Sequence, residues 1–242
     1  KQQVYKGVNW LVPRKSSTVI VPSEFVKLDV AKFAHVNPDK IVVTHESADA
    51  IPDKSEPVAG LEKVPFIMYV GRPLPHKNLP RLIEAFKLLK KDRPDLKLVL
   101  GGKKDVLYES IERAVNRQGL KDVVFTGFVS EGQLRWLYEH CQAYVFPSLS
   151  EGFGLPALEA MQHGAPVVSS NATCLPEIYG EAAQYFDPLD VNAMALAIGK
   201  VLGNPELRDT LIAAGKARVK DYSWQRMAEQ TLAIYEKALG KK

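Results

Sequence analysis

The chain has 242 residues, 46% of them hydrophobic and 25% charged, and 32 Lys and Arg against 28 Asp and Glu leave a formal charge of +4. These are the proportions of a soluble globular protein with room for one large domain or one and a fraction. The basic residues are dispersed, which excludes a nucleic-acid-binding tail, while the mild positive field favours an anionic substrate or an acidic membrane surface.

The first 50 residues read as a piece of their own, with "STVIVPS" a strand, "EFVKLDVAKFA" a helix and "DKIVVTH" a second strand. A βαβ unit buries too little surface to be a domain, so residues 1–50 are expected to be the remnant of a domain that begins outside this chain. The opening "KQQVYKGVNW" has no initiator Met and reads as a processing boundary or an artificial start. Residues 51–65 lie in "ADAIPDKSEPVAGLEKVP", which has three prolines and no periodicity, and are expected to be a linker.

From Phe66 strand and helix alternate. "FIMYVG" is a continuous apolar run, as in a strand buried on both faces. "NLPRLIEAFKLLKK" follows with Leu79, Leu82, Ile83, Phe86 and Leu89 at helical spacing. "LKLVLGG", "DVVFTGFV", "AYVFPS", "APVVSS" and "AAQYFD" continue as strands, with "VLYESIERAVNRQG", "EGQLRWLYEHC" and "LPALEAMQHG" as helices. The alternation predicts an α/β fold, a Rossmann-like doubly wound parallel sheet with helices on both faces. After Asp190 the pattern turns helical, through "VNAMALAIGKVLG", "PELRDTLIAAGKARVKDY" and "SWQRMAEQTLAIYEKAL". No apolar run approaches the roughly 20 residues of a membrane span, and no stretch has the pattern of a signal peptide. Cys141 and Cys174 are too few to staple a domain and have no zinc spacing, so they read as reduced thiols of a cytoplasmic protein.

The stretch "SEGFGLPALEA", Ser150 to Ala160, follows a strand and opens a helix, at the edge where doubly wound sheets place ligands. Free amides of Phe153, Gly154 and Leu155 at a helix N-terminus suit a phosphate, and Gly152 and Gly154 let the backbone come close. Glu151 and Glu159 have seven residues between them. A carboxylate matches the geometry of a vicinal diol, so Glu159 suits a ribose and Glu151 the hydroxyls of a second sugar. The plainer alternative is that both complement the helix dipole.

In "GRPLPHKN", Arg72 and Lys77 share one strand-to-helix loop. Two cations there would neutralise charge on a departing diphosphate; the alternative is two solvated loop charges. His163, beside the helix-closing Gly164, is expected to complement the helix C-terminus. His76 reads as a solvated loop residue, and "GGK" at 101–103 as a tight turn that lets a ligand pass. His45 and Glu46 carry no assigned role.

The Glu-x7-Glu spacing within "PSLSEGFGLPALEAMQHGAPVV" resembles the signature of retaining GT-B glycosyltransferases, glycosyltransferase family four or glycosyl transferases group one. "VGRPLPHKN", "VVFTGFVSEGQLRWLY", "AYVFPS", "LPEIYGEAAQYFDP" and "YSWQRMA" fall in that family's order. The resemblance covers residues 66–240, and residues 16–49 resemble the last βαβ of the family's N-terminal domain. It implies that residues 66–222 are the C-terminal, donor-binding half of a GT-B fold. A helix over 223–242 would then cross toward the N-terminal acceptor domain, with Trp224, Met227 and Tyr235 exposed.

The resemblance implies a nucleotide-diphosphate sugar, UDP- or GDP-linked, as donor and a glycan or glycolipid as acceptor. A hexose would be transferred with retention, as in polysaccharide biosynthesis. By position, Arg72 and Lys77 correspond to the diphosphate-binding pair, Glu151 to the glutamate facing the donor sugar, and Glu159 to the ribose-binding glutamate. Phe128 and Val129 correspond to the loop whose backbone meets the base, and Gly71, Gly152, Phe153, Gly154 and Leu155 complete the donor site. The resemblance implies no metal, no other cofactor and no nucleic-acid partner, and a cytoplasmic location open to peripheral association of the full-length protein with the inner face of the membrane. Glu46 and Ser47 stand where the family commonly carries Asn-Gly, and the acceptor site is absent, so the chain is expected to bind nucleotide and transfer sugar poorly by itself. Two alternatives stand beside this reading: a nucleotide-binding module without turnover, and a glycosidase using Glu151 and Glu159 as acid and nucleophile.

Overall fold

A computed structural model of the protein describes residues 2–240. Helix α1 (Gln2–Lys15), strand β1 (Val19–Val21), helix α2 (Glu24–Ala34) and strand β2 (Ile41–Val43) form a first piece. Strands β1 and β2 pair in parallel, Val19 opposite Ile41, as the sequence pattern predicts. Helix α1 is unpredicted, because it contains Gly7 and Pro13, both disfavoured inside helices. It is held largely by one arginine. Arg14 lies over the Trp10 ring at 3.3 Å and donates to the Ala34 carbonyl at 2.7 Å, and its own carbonyl accepts from Lys40.

Six parallel strands build the main sheet: β3 (Phe66–Val70), β4 (Lys97–Gly101), β5 (Val123–Gly127), β6 (Ala143–Phe146), β7 (Val167–Ser170) and β8 (Ala183–Phe186), in the order β5-β4-β3-β6-β7-β8. They are short apolar runs with nearly every side chain buried in β3, β4, β6 and β7, which demands helices over both faces. The flanking helices are α3 (Leu79–Leu89), α4 (Val106–Arg117), α5 (Glu131–His140), α6 (Leu155–Gln162) and the one-turn α7 (Leu175–Tyr179). Side chains of Asp105 and Ser130 cap the starts of α4 and α5, the latter in a reciprocal box with Gln133.

The chain winds outward from β3 through β4 to β5, then returns to lay β6 on the other side of β3. The order therefore reverses between β3 and β6, and the crevice at the carboxyl ends of those two strands is where such a sheet opens to a ligand.

Residues 51–65 have neither helix nor strand, yet they are strapped to the sheet domain. Arg135 donates to the carbonyls of Ile51 and Asp53, the Glu56 amide donates to Gly132, and Ile51 and Leu61 are buried in the main core. After β8 come α8 (Val191–Gly203), α9 (Pro205–Arg218) and α10 (Trp224–Ala238). The last of these buries no residue; Trp224 and Tyr235 are exposed, Tyr235 by 58%, but Met227, expected with them, is half-buried. Among the described residues no helix is long and apolar enough to cross a membrane.

Candidate functional site

The loop between β6 and α6 owes its shape to Gly154. Its φ of 100° lies in the left-handed region, and a Cβ there would stand 2.1 Å from the Tyr179 hydroxyl. Only glycine fits. The same hydroxyl donates to the Gly154 carbonyl at 2.7 Å. The amides of Gly152, Phe153, Gly154 and Leu155 have no acceptor among the described residues. With the positive end of the α6 dipole behind them, they are a set of unpaired donors of the kind that suits an anion. The Phe153 side chain is buried, its ring 5.4 Å from that of Tyr222 and 6.1 Å from that of His45.

Lys77 reaches from the loop after β3 across the crevice to Glu151. Its Nζ is 2.6 Å from Glu151 Oε1, and the two side chains are only 17% and 12% exposed. The Phe146 ring lies 5.4 Å from the ammonium. This loop is docked through its backbone as well: the Leu149 amide donates to the His76 carbonyl at 2.7 Å. The buried Asn78, at φ 59°, donates to the carbonyls of Pro147 and Pro188. Arg72, from the same loop, leans to the other neighbour of β3. Its side chain is 63% exposed, and Nε donates to Asp105 Oδ2 at 2.7 Å. The other Asp105 oxygen accepts the Leu107 and Tyr108 amides at the start of α4. Those amides, with Arg72, hold the Asp105 carboxyl below the ordinary carboxylate range.

Glu159 lies on α6, half-buried, and accepts from the buried Tyr138 hydroxyl at 3.3 Å. Burial pushes its carboxyl above the ordinary range, with the Tyr138 bond opposing. Phe128, just past β5, is 82% exposed, and Val129 beside it is half-buried. Gly71 begins the Arg72 loop, and its carbonyl lies 2.5 Å from where a Cβ of Gly102 would stand.

Three sequence readings are corrected here. The turn at 101–103 is tight, but what it admits is the Gly71 carbonyl, and backbone bonds from Gly71 to Gly101 and from Gly102 to Gly127 tie three strand ends together. His163 caps α6, but not as a cation. The Ile51 amide donates to its Nε2 at 3.0 Å and its ring stacks on Tyr138, while burial pushes its pKa down, so the neutral ring is an acceptor. His76 is half-buried and contributes a carbonyl. The sequence pattern left unassigned Asp105, which pairs with Arg72, Thr173, whose Oγ1 accepts the Glu151 amide, Glu177, which accepts the Glu24 and Phe25 amides beside the site, and Tyr179, which donates to the Gly154 carbonyl. The last three belong to "NATCLPEIYG", where an acid and a hydroxyl in the loop after a strand were the available signal.

A groove of ≈ 700 Å³ lies elsewhere, lined by residues of α3, the turn after it and α8. None of them belongs to the loops at the carboxyl ends of the strands, so the crevice between β3 and β6, with its free amides and paired ions, is the candidate site.

The family described as Glycosyl transferases group 1 matches residues 51–218. O-antigen chain mannosyltransferase B of Escherichia coli is 34% identical over 231 residues, which cover 90% of this chain and 60% of that protein. An MMP alpha-(1->4)-mannosyltransferase of Mycolicibacterium hassiacum is 31% identical over 235 residues, covering 95% of this chain and 56% of that protein. The chain thus spans under two thirds of the length of either relative. Among solved structures, sucrose-phosphate synthase from Thermosynechococcus elongatus matches with a TM-score of 0.84 at 25% identity, over 98% of this chain and 62% of that one. Anabaena HepE in complex with UDP and glucose matches with a TM-score of 0.79 at 20% identity, over 93% and 64%, which is a likeness of fold.

Proposed function

This chain belongs to the group 1 glycosyl transferases, and we propose that residues 66–222 form the half that binds a nucleotide-diphosphate sugar for hexosyl transfer to a glycan or glycolipid. Residues 1–50 are then the end of an acceptor-side domain, 51–65 the connection, and 223–242 a helix returning toward that domain. One observation carries the reading: four unpaired amides at the mouth of α6 lie in the loop whose Glu151 binds a cation from the loop across the switch point.

The donor diphosphate lies on the amides of Gly152, Phe153, Gly154 and Leu155, with Gly71 allowing close approach from the other loop. Lys77 exchanges its partner, moving from Glu151 to the phosphates, and Arg72 adds a second cation from the exposed rim. As the glycosidic bond to the phosphate breaks, negative charge grows on the leaving diphosphate, and these cations and amides stabilise it. Glu151, released from Lys77, accepts from hydroxyls of the donor sugar. Glu159 accepts from the ribose, and the backbone at Phe128 and Val129 borders the base. The anomeric carbon bonds instead to an acceptor hydroxyl oxygen, whose proton passes to the departing diphosphate, and the hexose is transferred with retained configuration. The names of the two mannosyltransferases above make mannose the first hexose to try.

Calorimetric titration with UDP, GDP and their nucleosides tests this. Lys77→Ala is expected to weaken the diphosphate about tenfold or more and the nucleoside little. Equal losses, or no binding of either diphosphate by the unaltered protein, would remove the assignment.

A further inference from the structure

We infer that Thr173 is a positioning residue for Glu151, acting through the Glu151 backbone; this rests on the role proposed above for Glu151. Thr173 Oγ1 accepts the Glu151 amide at 3.1 Å, and the thiol of the next residue, Cys174, donates to the Glu151 carbonyl at 3.3 Å. Both backbone groups of Glu151 are therefore held by the loop between β7 and α7. Cys174 is fully buried, and burial pushes its thiol up to about 12, so it remains a donor at neutral pH. Further along, Tyr179 takes the Gly154 carbonyl. Residues 173–179 thus satisfy the Glu151 amide and two carbonyls of the loop, and leave the four amides of residues 152–155 free.

The backbone of Thr173 supports the same inference. Its φ is 54°, the left-handed region, which is strained for a β-branched residue. Strain of this kind persists only where the surroundings over-determine it, and it gathers at functional sites. The hydroxyl bond to the Glu151 amide is the contact that rewards it. The consequence concerns the sugar. Once Lys77 turns to the phosphates, the Glu151 side chain loses its partner, and its direction is set by its backbone, hence by Thr173.

The test compares the protein with Thr173→Val, which keeps the branched shape and deletes the acceptor, and with Thr173→Ser, which restores it. UDP, UDP-glucose, GDP and GDP-mannose are titrated by calorimetry, and transfer or hydrolysis of the sugar nucleotides is followed. The diphosphate that binds the unaltered protein is expected to bind both variants within about twofold, which also shows that they fold. The sugar increment in affinity and kcat should fall about tenfold in Thr173→Val and return with Ser. Equal behaviour of diphosphate and sugar nucleotide, no loss in Val, or no rescue by Ser would overturn the inference. Failure of the unaltered protein to bind either diphosphate would instead overturn the donor reading, and this inference with it.

Discussion

The sheet domain and the N-terminal piece are built to different standards. The domain buries a continuous core from Phe66 through β6 and β7 to α8 and α9, and its strand ends are tied to one another by backbone hydrogen bonds. Among the described residues the piece has a core cluster of Val21, Ala31 and Ile41 with five half-buried valines packed against it, and leaves Tyr5, Trp10, Leu28 and Phe33 exposed. Such a cluster, at about 2 kcal/mol per buried side chain, cannot offset the ordering of some forty residues. Its attachment to the domain has a strong polar component. Ser23 Oγ donates to the Gly152 carbonyl at 2.8 Å, and the Glu24 and Phe25 amides at the start of α2 donate to the Glu177 carboxylate at 2.8 and 2.9 Å. The His45 ring adds contacts with Phe153 and Tyr222 and stands 3.7 Å from Glu177. The sheet domain thus carries the loops of the candidate site on its own core, and the N-terminal piece, with a much smaller core, touches the loop between β6 and α6 through these contacts.

The largest effect is expected from the cores. Phe66→Ala should cost the domain about 3–5 kcal/mol and lower its main unfolding transition. Ile41→Ala should loosen the piece while leaving that transition in place, as followed by urea unfolding with hydrogen exchange. If both substitutions lower one shared transition equally, the division into two folding units is wrong. Next comes the docking. Glu177→Gln removes the charge that takes two amides at a helix start, a loss of about 1 kcal/mol. Amides of α2 and β1 should exchange about fivefold faster, with those of β3 and β6 unchanged; equal acceleration in both regions would tie the piece to the core after all.

The smallest effect concerns Glu159 within the domain. Its folded pKa is raised by burial above the 4.5 of the free group, so its contribution is favourable below pH 4.5 and is lost as pH rises through the folded value. Glu159→Gln should therefore be more stable than the unaltered protein at pH 7, a gain that vanishes in urea unfolding at pH 4, while binding a ribonucleotide less well. A residue kept only for the fold would show the opposite sign at neutral pH.

The alternation from β3 to β8 was legible because strands buried on both faces must be unbroken apolar runs, and the glycines and prolines between them mark the turns. The strand order was not, because nothing in "AYVFPS" states that it returns beside "FIMYV". That adjacency is what brings Lys77 to Glu151. Likewise Gly154 was legible as a glycine that opens a helix, but its reason, the Tyr179 hydroxyl, lies 25 residues on. Helix α7 spans five residues, too few for periodicity, and so the buttress it begins went unread. Asp105 was hidden by its other duty as a helix cap.

The most direct test of the account is to follow backbone amide resonances while UDP or GDP, and then uridine or guanosine, is added. The account predicts that Gly152, Phe153, Gly154 and Leu155 shift with the diphosphate and hardly move with the nucleoside, together with the Arg72–Lys77 loop. Diphosphate binding that leaves those amides unmoved, or shifts of the same size from the bare nucleoside, would contradict it.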